Sequence, residues 1–250
     1  MQTAAGPVFL SWLECLMKDC LIIIPAYNEQ DNIVRVVDKL IADYAMFDYV
    51  VVNDGSSDHT AAICREHGYE LIDLPVNLGL AGAFQTGLKY AHRKGYHYAI
   101  QFDADGQHRP EYIGPMLEKC KEGYDIVIGS RFVTEKKPRS MRMLGSTLIS
   151  AATRLTTGRK VKDPTSGMRM FNEKMIAEFA LNLNYGPEPD TISYLLKQGA
   201  SFAEVQVEMD ERIAGESYLN VPRSMMYMLR MLISILFIQN FRKRREVDDG

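Results

Sequence analysis

Cys20-Leu-Ile-Ile-Ile-Pro25 is a continuous apolar run closed by a proline, the pattern of a strand buried on both faces. Beyond it, Ile33, Val36, Val37, Leu40 and Ile41 recur at helical spacing, and Tyr49-Val-Val-Val52 returns to the strand pattern. The alternation then continues. A helix over 58–67, capped by Ser57 or Asp58, leads to a strand over 70–74, a helix over 79–94 and a strand over 97–102. A helix over 110–121 and a strand over 125–128 complete the series. Strands alternating with helices in this way are βαβ units, so the first 130 residues predict a doubly wound, mostly parallel sheet with helices on both faces.

After Arg131 the rhythm changes. A charged loop over 134–139 precedes a helix over 141–157, Asp163-Pro-Thr-Ser-Gly167 is dense in turn formers, and helices are expected near 172–179 and 189–198. Ala203-Glu-Val-Gln-Val207 alternates like a half-exposed strand.

Composition narrows the class. The 250 residues are 46% hydrophobic and 24% charged, which suits a folded domain with a substantial core. With 29 basic and 32 acidic residues the chain has no overall basic field, so no nucleic acid partner is expected. Cys15, Cys20, Cys64 and Cys120 form neither a CxxC pair nor a zinc-ligand spacing and read as free thiols of a reducing compartment. The stretch over 8–24 is broken by Glu14, Lys18 and Asp19 and has no basic leader, so it is not read as a signal peptide. Residues 1–16 read as an upstream extension, 17–220 as the main domain and 221–250 as a C-terminal helix with a basic flank.

In an open parallel sheet, ligands bind outside the carboxyl ends of the strands. Four polar clusters fall there: Pro25-Ala-Tyr-Asn-Glu29, Asn53-Asp-Gly-Ser-Ser-Asp58, Asn77-Leu-Gly-Leu-Ala-Gly82 and Asp103-Ala-Asp-Gly-Gln-His108. One such cluster is ordinary turn and cap chemistry. Four on one edge define a site. In an extended segment Asp103 and Asp105 point the same way, so both carboxylates can face one hard cation, and Mg2+ favours one or two carboxylates plus phosphate oxygens. There is no GxxxxGK[ST] loop and no GxGxxG spacing, which removes P-loop NTPases and dinucleotide dehydrogenases.

In this order the motifs resemble family 2 glycosyltransferases of GT-A (nucleotide-diphospho-sugar transferase) fold, over residues 19–215. Gly129-Ser-Arg131, Asp163-Pro-Thr-Ser-Gly-Met-Arg169 and Glu211-Arg-Ile-Ala-Gly-Glu-Ser217 are similar to the polyprenyl-phosphate and dolichyl-phosphate sugar transferase branch, and also occur in bacterial surface-polysaccharide glycosyltransferases. The resemblance implies an inverting, metal-dependent enzyme with Mg2+ or Mn2+ as cofactor and a nucleotide diphosphate sugar as donor. The acceptor would be a polyprenyl phosphate or a saccharide hydroxyl.

Carried over by position, Pro25, Ala26, Tyr27 and Glu29 would frame the nucleoside, Asp54 would bind the base, and Asn77 and Gly79 would approach the nucleotide. Asp103 would meet the ribose or the metal, Asp105 would ligate the metal, and Gln107 would lie beside the donor sugar. Arg131, Ser166 and Arg169 would hold the acceptor or the diphosphate, with Arg139 and Arg142 as weaker candidates. Glu188 or Asp190 would serve as base for a hydroxyl acceptor, although the Glu-Pro-Asp order departs from the usual adjacent pair and Asp190 also suits a helix cap.

Residues 225–238 are apolar on most faces, with Arg223, Tyr227, Arg230 and Ser234 on one thin stripe and Arg242-Lys-Arg-Arg245 behind. An interfacial helix attracted to anionic lipid is expected, giving peripheral association at the cytoplasmic, inner face of a membrane; a core-packing or homodimer-forming helix is the other reading. A sugar-phosphate nucleotidyltransferase would need a basic glycine-rich N-terminal loop, which is missing, and a nucleotide-sugar-binding scaffold would not need the Asp103 and Asp105 pair.

Overall fold

The computed structural model describes residues 19–138, 140–183, 185–210 and 221–241. Its centre is a seven-stranded sheet: β1 Cys20–Ala26, β2 Asp48–Asn53, β3 Leu71–Asp73, β4 Tyr98–Gln101, β5 Ile126–Ser130, β6 Arg169–Asn172 and β7 Phe202–Gln206. The spatial order is β3-β2-β1-β4-β6-β5-β7, with β6 antiparallel to both β4 and β5 and the other pairs parallel.

Alternation along β1 divides the core into two layers. Ile22 and Ile24 pack with Ile33, Val36, Val37 and Leu40 of α1 (Ile33–Asp43), Cys64 of α2 (Thr60–Glu66), and Ile113, Met116 and Leu117 of α4 (Ile113–Lys121). Leu21 and Ile23 face the opposite side, with Phe84 and Leu88 of α3 (Gly79–Lys94), Ile176 of α6 (Glu173–Ala177) and Leu195 of α7 (Pro189–Lys197). Strands of uniformly apolar character follow from this double coverage. Gly87 lets α3 come down on β1, since a Cβ there would run into the Ile23 side chain.

The strand β6 departs from the expected pattern. Four residues with Arg and Asn at the ends carry too little periodicity to be seen, and a helix was expected to begin at 172. Met170 and Phe171 are fully buried between β4 and β5, and Asn172 caps α6 by accepting the Met175 N–H at 3.0 Å. Because β6 runs backwards, the 163–169 segment that feeds it arrives at the carboxyl edge where the four polar clusters lie.

Two helices stand together beside the sheet. The helices α5 (Met141–Thr157) and α8 (Val221–Leu236) share a small core of Ile149, Ala152, Met231 and Ile235, and Gly145 of α5 admits Met228 of α8 closely. Ser234 of α8 and Gln239, just beyond its end, are buried and both bond Asp190 of α7, whereas Arg230 of the same stripe is exposed. Exposed apolar side chains are left outside, at Met225, Met226, Leu229 and Ile233 on α8, Phe237 just past its end, and Leu144, Leu148 and Leu155 on α5. No helix among the described residues is long and apolar enough to cross a membrane. Residues 1–16, Arg139, the 211–217 motif and the 242–245 basic flank lie outside the described residues, as do the side chains of Arg142 and Arg223.

Candidate active site

The β1 and β2 ends make the first wall. Pro25 and Ala26 are buried within the strand, Tyr27 is exposed, and Asn28 adopts φ 55°. That left-handed conformation, uncommon outside glycine, is held from both sides. Asn28 donates its N–H to Ser56 Oγ at 3.0 Å, and its Oδ1 accepts the Ser57 N–H at 2.9 Å. Glu29 donates its N–H to Thr60 Oγ1 and accepts from Asn32 Nδ2 at 2.7 Å. Asp54, only 2% exposed, accepts the Leu78 N–H at 2.7 Å, so it ties the 77–79 loop to the β2 end. Asn77 accepts the Gly79 N–H, and Gly79 takes φ 78°. At Gly55, with φ 63°, a Cβ would meet the Val76 and Asn77 backbone, so glycine alone permits this approach.

The loop after β4 carries the two carboxylates. Asp103 Oδ1 accepts from Gln101 Nε2 at 3.0 Å, and its backbone N–H goes to His108 Nδ1 at 2.9 Å. Asp105 is buried and accepts the Gln107 N–H at 3.0 Å, an arrangement that closes the turn at Gly106 (φ 77°). Gln107 turns its side chain toward the Asp210 carbonyl. No group of three or more potential protein ligands occurs among the described residues. Two carboxylates at one strand end nonetheless fit a hard divalent cation whose remaining ligands are diphosphate oxygens and water.

Across the edge, the β5 end is cationic. Arg131 grips the fully buried Asp163 with Nε at 2.7 Å and Nη2 at 2.9 Å, leaving Nη1 without a hydrogen bond among the described residues. Lys137 reaches Ser146 Oγ of α5 at 3.0 Å, and Arg131 and Lys137 lie 5.2 and 5.4 Å from the Phe132 ring centroid. Burial lowers the Lys137 ammonium pKa; Asp163 opposes that shift, and Arg131 adds to it. Lys137 has no carboxylate in contact among the described residues. Neither Lys137 nor Ser146 stood out in the sequence, because a lysine in a charged loop and a serine in a helix carry no spacing signal.

Two expected acceptor residues turn inward instead. Ser166 is 1% exposed and donates to the Gly129 carbonyl at 2.5 Å. Arg169 is buried, with Nη2 on the Pro164 carbonyl at 2.9 Å, Nη1 on the Pro187 carbonyl and no partner for Nε among the described residues. Desolvation lowers the pKa of this guanidinium, against the attraction of Tyr227, Asp163, Glu188 and Asp103. Both residues shape the 163–169 turn from inside: Ser166 through the Gly129 carbonyl, and Arg169, the first residue of β6, through the Pro164 and Pro187 carbonyls.

The two base candidates also separate. Asp190 Oδ2 accepts from Ser234 Oγ at 2.6 Å and Gln239 Nε2 at 3.2 Å, while Oδ1 accepts the Thr191 N–H at 2.8 Å. That carboxylate clasps α8. Glu188, at the N-cap of α7, is half-buried, and its carboxylate has no hydrogen-bond partner among the described residues. Burial raises its pKa, Asp190 raises it further, and Arg230 and Arg169 oppose the shift.

A mostly parallel sheet interrupted by β6, with paired carboxylates after β4, defines a nucleotide-sugar transferase architecture. The family model described as "Glycosyl transferase family 2" matches residues 21–179, and the chain belongs to that family. A polyprenol monophosphomannose synthase from Mycolicibacterium smegmatis is 28% identical over 80% of this chain and 80% of its own length. A UDP-N-acetylglucosamine--dolichyl-phosphate N-acetylglucosaminyltransferase from Methanococcus voltae is 31% identical over 77% of this chain and 86% of its own. The crystal structure of glucosyl-3-phosphoglycerate synthase from Mycobacterium tuberculosis with Mn2+ and UDP-glucose shares the fold at TM-score 0.66 and 16% identity, covering 94% of this chain and 85% of that one.

Proposed function

We propose that this chain transfers a sugar, with inversion, from a nucleotide diphosphate sugar to a polyprenyl phosphate at a membrane surface. The observation that carries the reading is the pair of cations over Phe132. Arg131 keeps Nη1 free of protein partners among the described residues, and Lys137 is half-buried with only a hydroxyl and a ring beside it. A phosphate monoester satisfies both, and guanidinium and ammonium groups suit it well. The polyprenyl and dolichyl acceptors in the relatives' names support the same acceptor class.

On this reading the acceptor phosphate oxygen attacks the anomeric carbon as the bond from that carbon to the diphosphate breaks, and the nucleotide leaves with the electron pair. The attacking oxygen is already ionised, so no proton need be removed. Asp103 and Asp105 would hold Mg2+ or Mn2+, which when bound neutralises charge on the diphosphate. Tyr27, Glu29, Asp54, Asn77 and Gly79 line the nucleotide end. The exposed apolar side chains of α5 and α8 would rest on the bilayer. Arg154 and Arg230, both exposed on these helices, offer charge to anionic lipid headgroups. The buried free thiols Cys20, Cys64 and Cys120 accord with work on the cytoplasmic side.

The test presents full-length protein with Mn2+ and radiolabelled nucleotide sugars, and with either a short-chain polyprenyl phosphate or a saccharide. Label should enter the lipid phosphate. Lys137→Ala should raise the acceptor KM by about 10- to 100-fold, the scale of one charged hydrogen bond, and leave donor affinity unchanged. Transfer to the saccharide alone would replace this reading with surface-polysaccharide synthesis. Donor binding with no transfer to any acceptor would support a scaffold.

A further inference from the structure

His108 makes two approaches to a single residue, Asp103. Its Nδ1 accepts the Asp103 backbone N–H at 2.9 Å, and its Nε2 lies 3.6 Å from Asp103 Oδ2. A ring nitrogen that accepts an N–H must offer its lone pair, so the proton of the neutral imidazole resides on Nε2. The backbone thereby sets the tautomer that turns an N–H dipole toward the carboxylate. The ring cannot easily swing away, because its side chain is 3% exposed and it stands edge-on to Phe102 at 5.5 Å.

The rest of the enclosure acts on the same carboxylate. Gln101 Nε2 donates to Oδ1 at 3.0 Å, so each oxygen has one protein group on its inner side. Gly167, at the turn before β6, lies over both residues. A Cβ there would come within 2.8 Å of Asp103 Oδ2 and 3.5 Å of the His108 ring. Every carboxylate oxygen has two lone-pair directions. With one taken inside, the outward directions are left for a donor hydroxyl or a cation.

We propose that His108 is a positioning residue of the donor site, held as the Nε2–H tautomer by the Asp103 backbone and aiming the Asp103 carboxylate at the nucleotide sugar. The role of Asp103 toward the donor rests on the function proposed above, whereas the tautomer does not. Two measurements separate them. Long-range 1H–15N correlation on full-length protein labelled at histidine, with the His108 signals assigned by their loss in His108→Gln, should show protonated Nε2 and bare Nδ1 without any ligand. Asp103→Asn should shift the Nε2 signal. A protonated Nδ1 would overturn the proposal.

Calorimetry with a nucleotide sugar and Mn2+ gives the second arm. His108→Asn keeps an oxygen for the Asp103 N–H but does not reach Oδ2, and should weaken donor affinity about 10- to 100-fold, as removal of a ligand's supporting partner does. His108→Gln, whose amide N–H reaches as far as Nε2, should restore most of it. In an Asp103→Asn background, His108→Asn should cost nothing more. Full donor affinity in folded His108→Asn, or an undiminished second penalty in the double variant, would overturn the positioning role. Should the wild type bind no nucleotide sugar while the tautomer is as stated, the functional reading fails and the geometry of His108 stands.

Discussion

Asp190 was one of two base candidates, with a helix cap as its other reading, and its hydrogen bonds to Ser234 and Gln239 suit a clasp. The two roles predict opposite mutant behaviour. Asp190→Ala removes three charged hydrogen bonds, from Ser234 at 2.6 Å, Gln239 at 3.2 Å and the Thr191 N–H at 2.8 Å, and leaves the two buried side-chain donors without this acceptor. Hydrogen bonds to charged groups contribute about 1.5–3 kcal/mol each; Gln239 also lies 3.4 Å from Ser234 Oγ and can partly compensate. A loss of about 3 kcal/mol is the resulting expectation. For a chain of this size that lowers Tm by about 6–12 °C. Asp190→Asn keeps an oxygen for Ser234 and should cost about 1 kcal/mol. Urea and thermal unfolding followed by far-UV circular dichroism measure the stability, and single-turnover transfer by the folded Asn variant measures chemistry. A clasp leaves that rate within a few-fold of wild type. Loss of about three orders of magnitude, the scale of a missing general base, with stability unchanged would refute the clasp and return Asp190 to catalysis.

Two further outcomes follow from other parts of the molecule. Burial alone would raise the Asp125 pKa, but the Ser201 N–H, Asn172, the Ser201 hydroxyl and Lys174 outweigh it and hold the carboxyl below its usual value. Its contribution to stability is therefore present above the ordinary carboxylate pKa and fades as pH falls through the lowered one. Asp125→Asn should shrink the difference in urea midpoint between pH 6 and pH 3, and an unchanged difference would contradict this. Placing Asp at both Leu148, on the exposed face of α5, and Phe237, just past the end of α8, should abolish co-sedimentation with anionic vesicles while leaving transfer to a detergent-dispersed short-chain acceptor intact. Undiminished vesicle binding, or loss of a solution dimer instead, would assign that face to another partner.

Uniform apolar runs and 3.6-residue periodicity made the βαβ half readable, since each strand is buried on two faces and each helix on one. The polar clusters at the carboxyl edge were readable for a related reason: Asp54, Asp103 and Asp105 sit in turns where strand ends and caps demand small polar residues in dense clusters. What escaped depends on tertiary direction. Arg169 looks like an anion binder until β6 is known to carry it inward to the Pro164 and Pro187 carbonyls. Helical spacing correctly grouped Tyr227, Arg230 and Ser234 on α8, yet it could not say that Ser234 would face Asp190 rather than solvent. His108 belonged to a recognised motif, but its service to Asp103 requires the loop to fold back over five residues.

The charge distribution of the site argues for an anionic acceptor more strongly than any single residue. Asp54, Asp103 and Asp105 gather at the carboxyl edge of the sheet, where on the proposed reading a nucleotide diphosphate also brings negative charge. Coulomb repulsion there demands a cation that arrives with the donor or before it, which gives a divalent metal an electrostatic function as well as a geometric one. Beyond the β5 end the sign reverses, and Asp163 is already engaged by Arg131. A neutral saccharide would leave the half-buried Lys137 ammonium with no carboxylate or phosphate in contact among the described residues, and would require Glu188 to act as base. The Glu188 carboxylate has no hydrogen-bond partner among the described residues to orient it, and its raised pKa favours the protonated form relative to an ordinary glutamate. A phosphate acceptor reverses both deficits: it compensates Lys137 and supplies its own ionised nucleophile. With an ionised nucleophile no base is needed, so Glu188→Gln should retain transfer to polyprenyl phosphate within about tenfold, well short of the loss a missing base would cause.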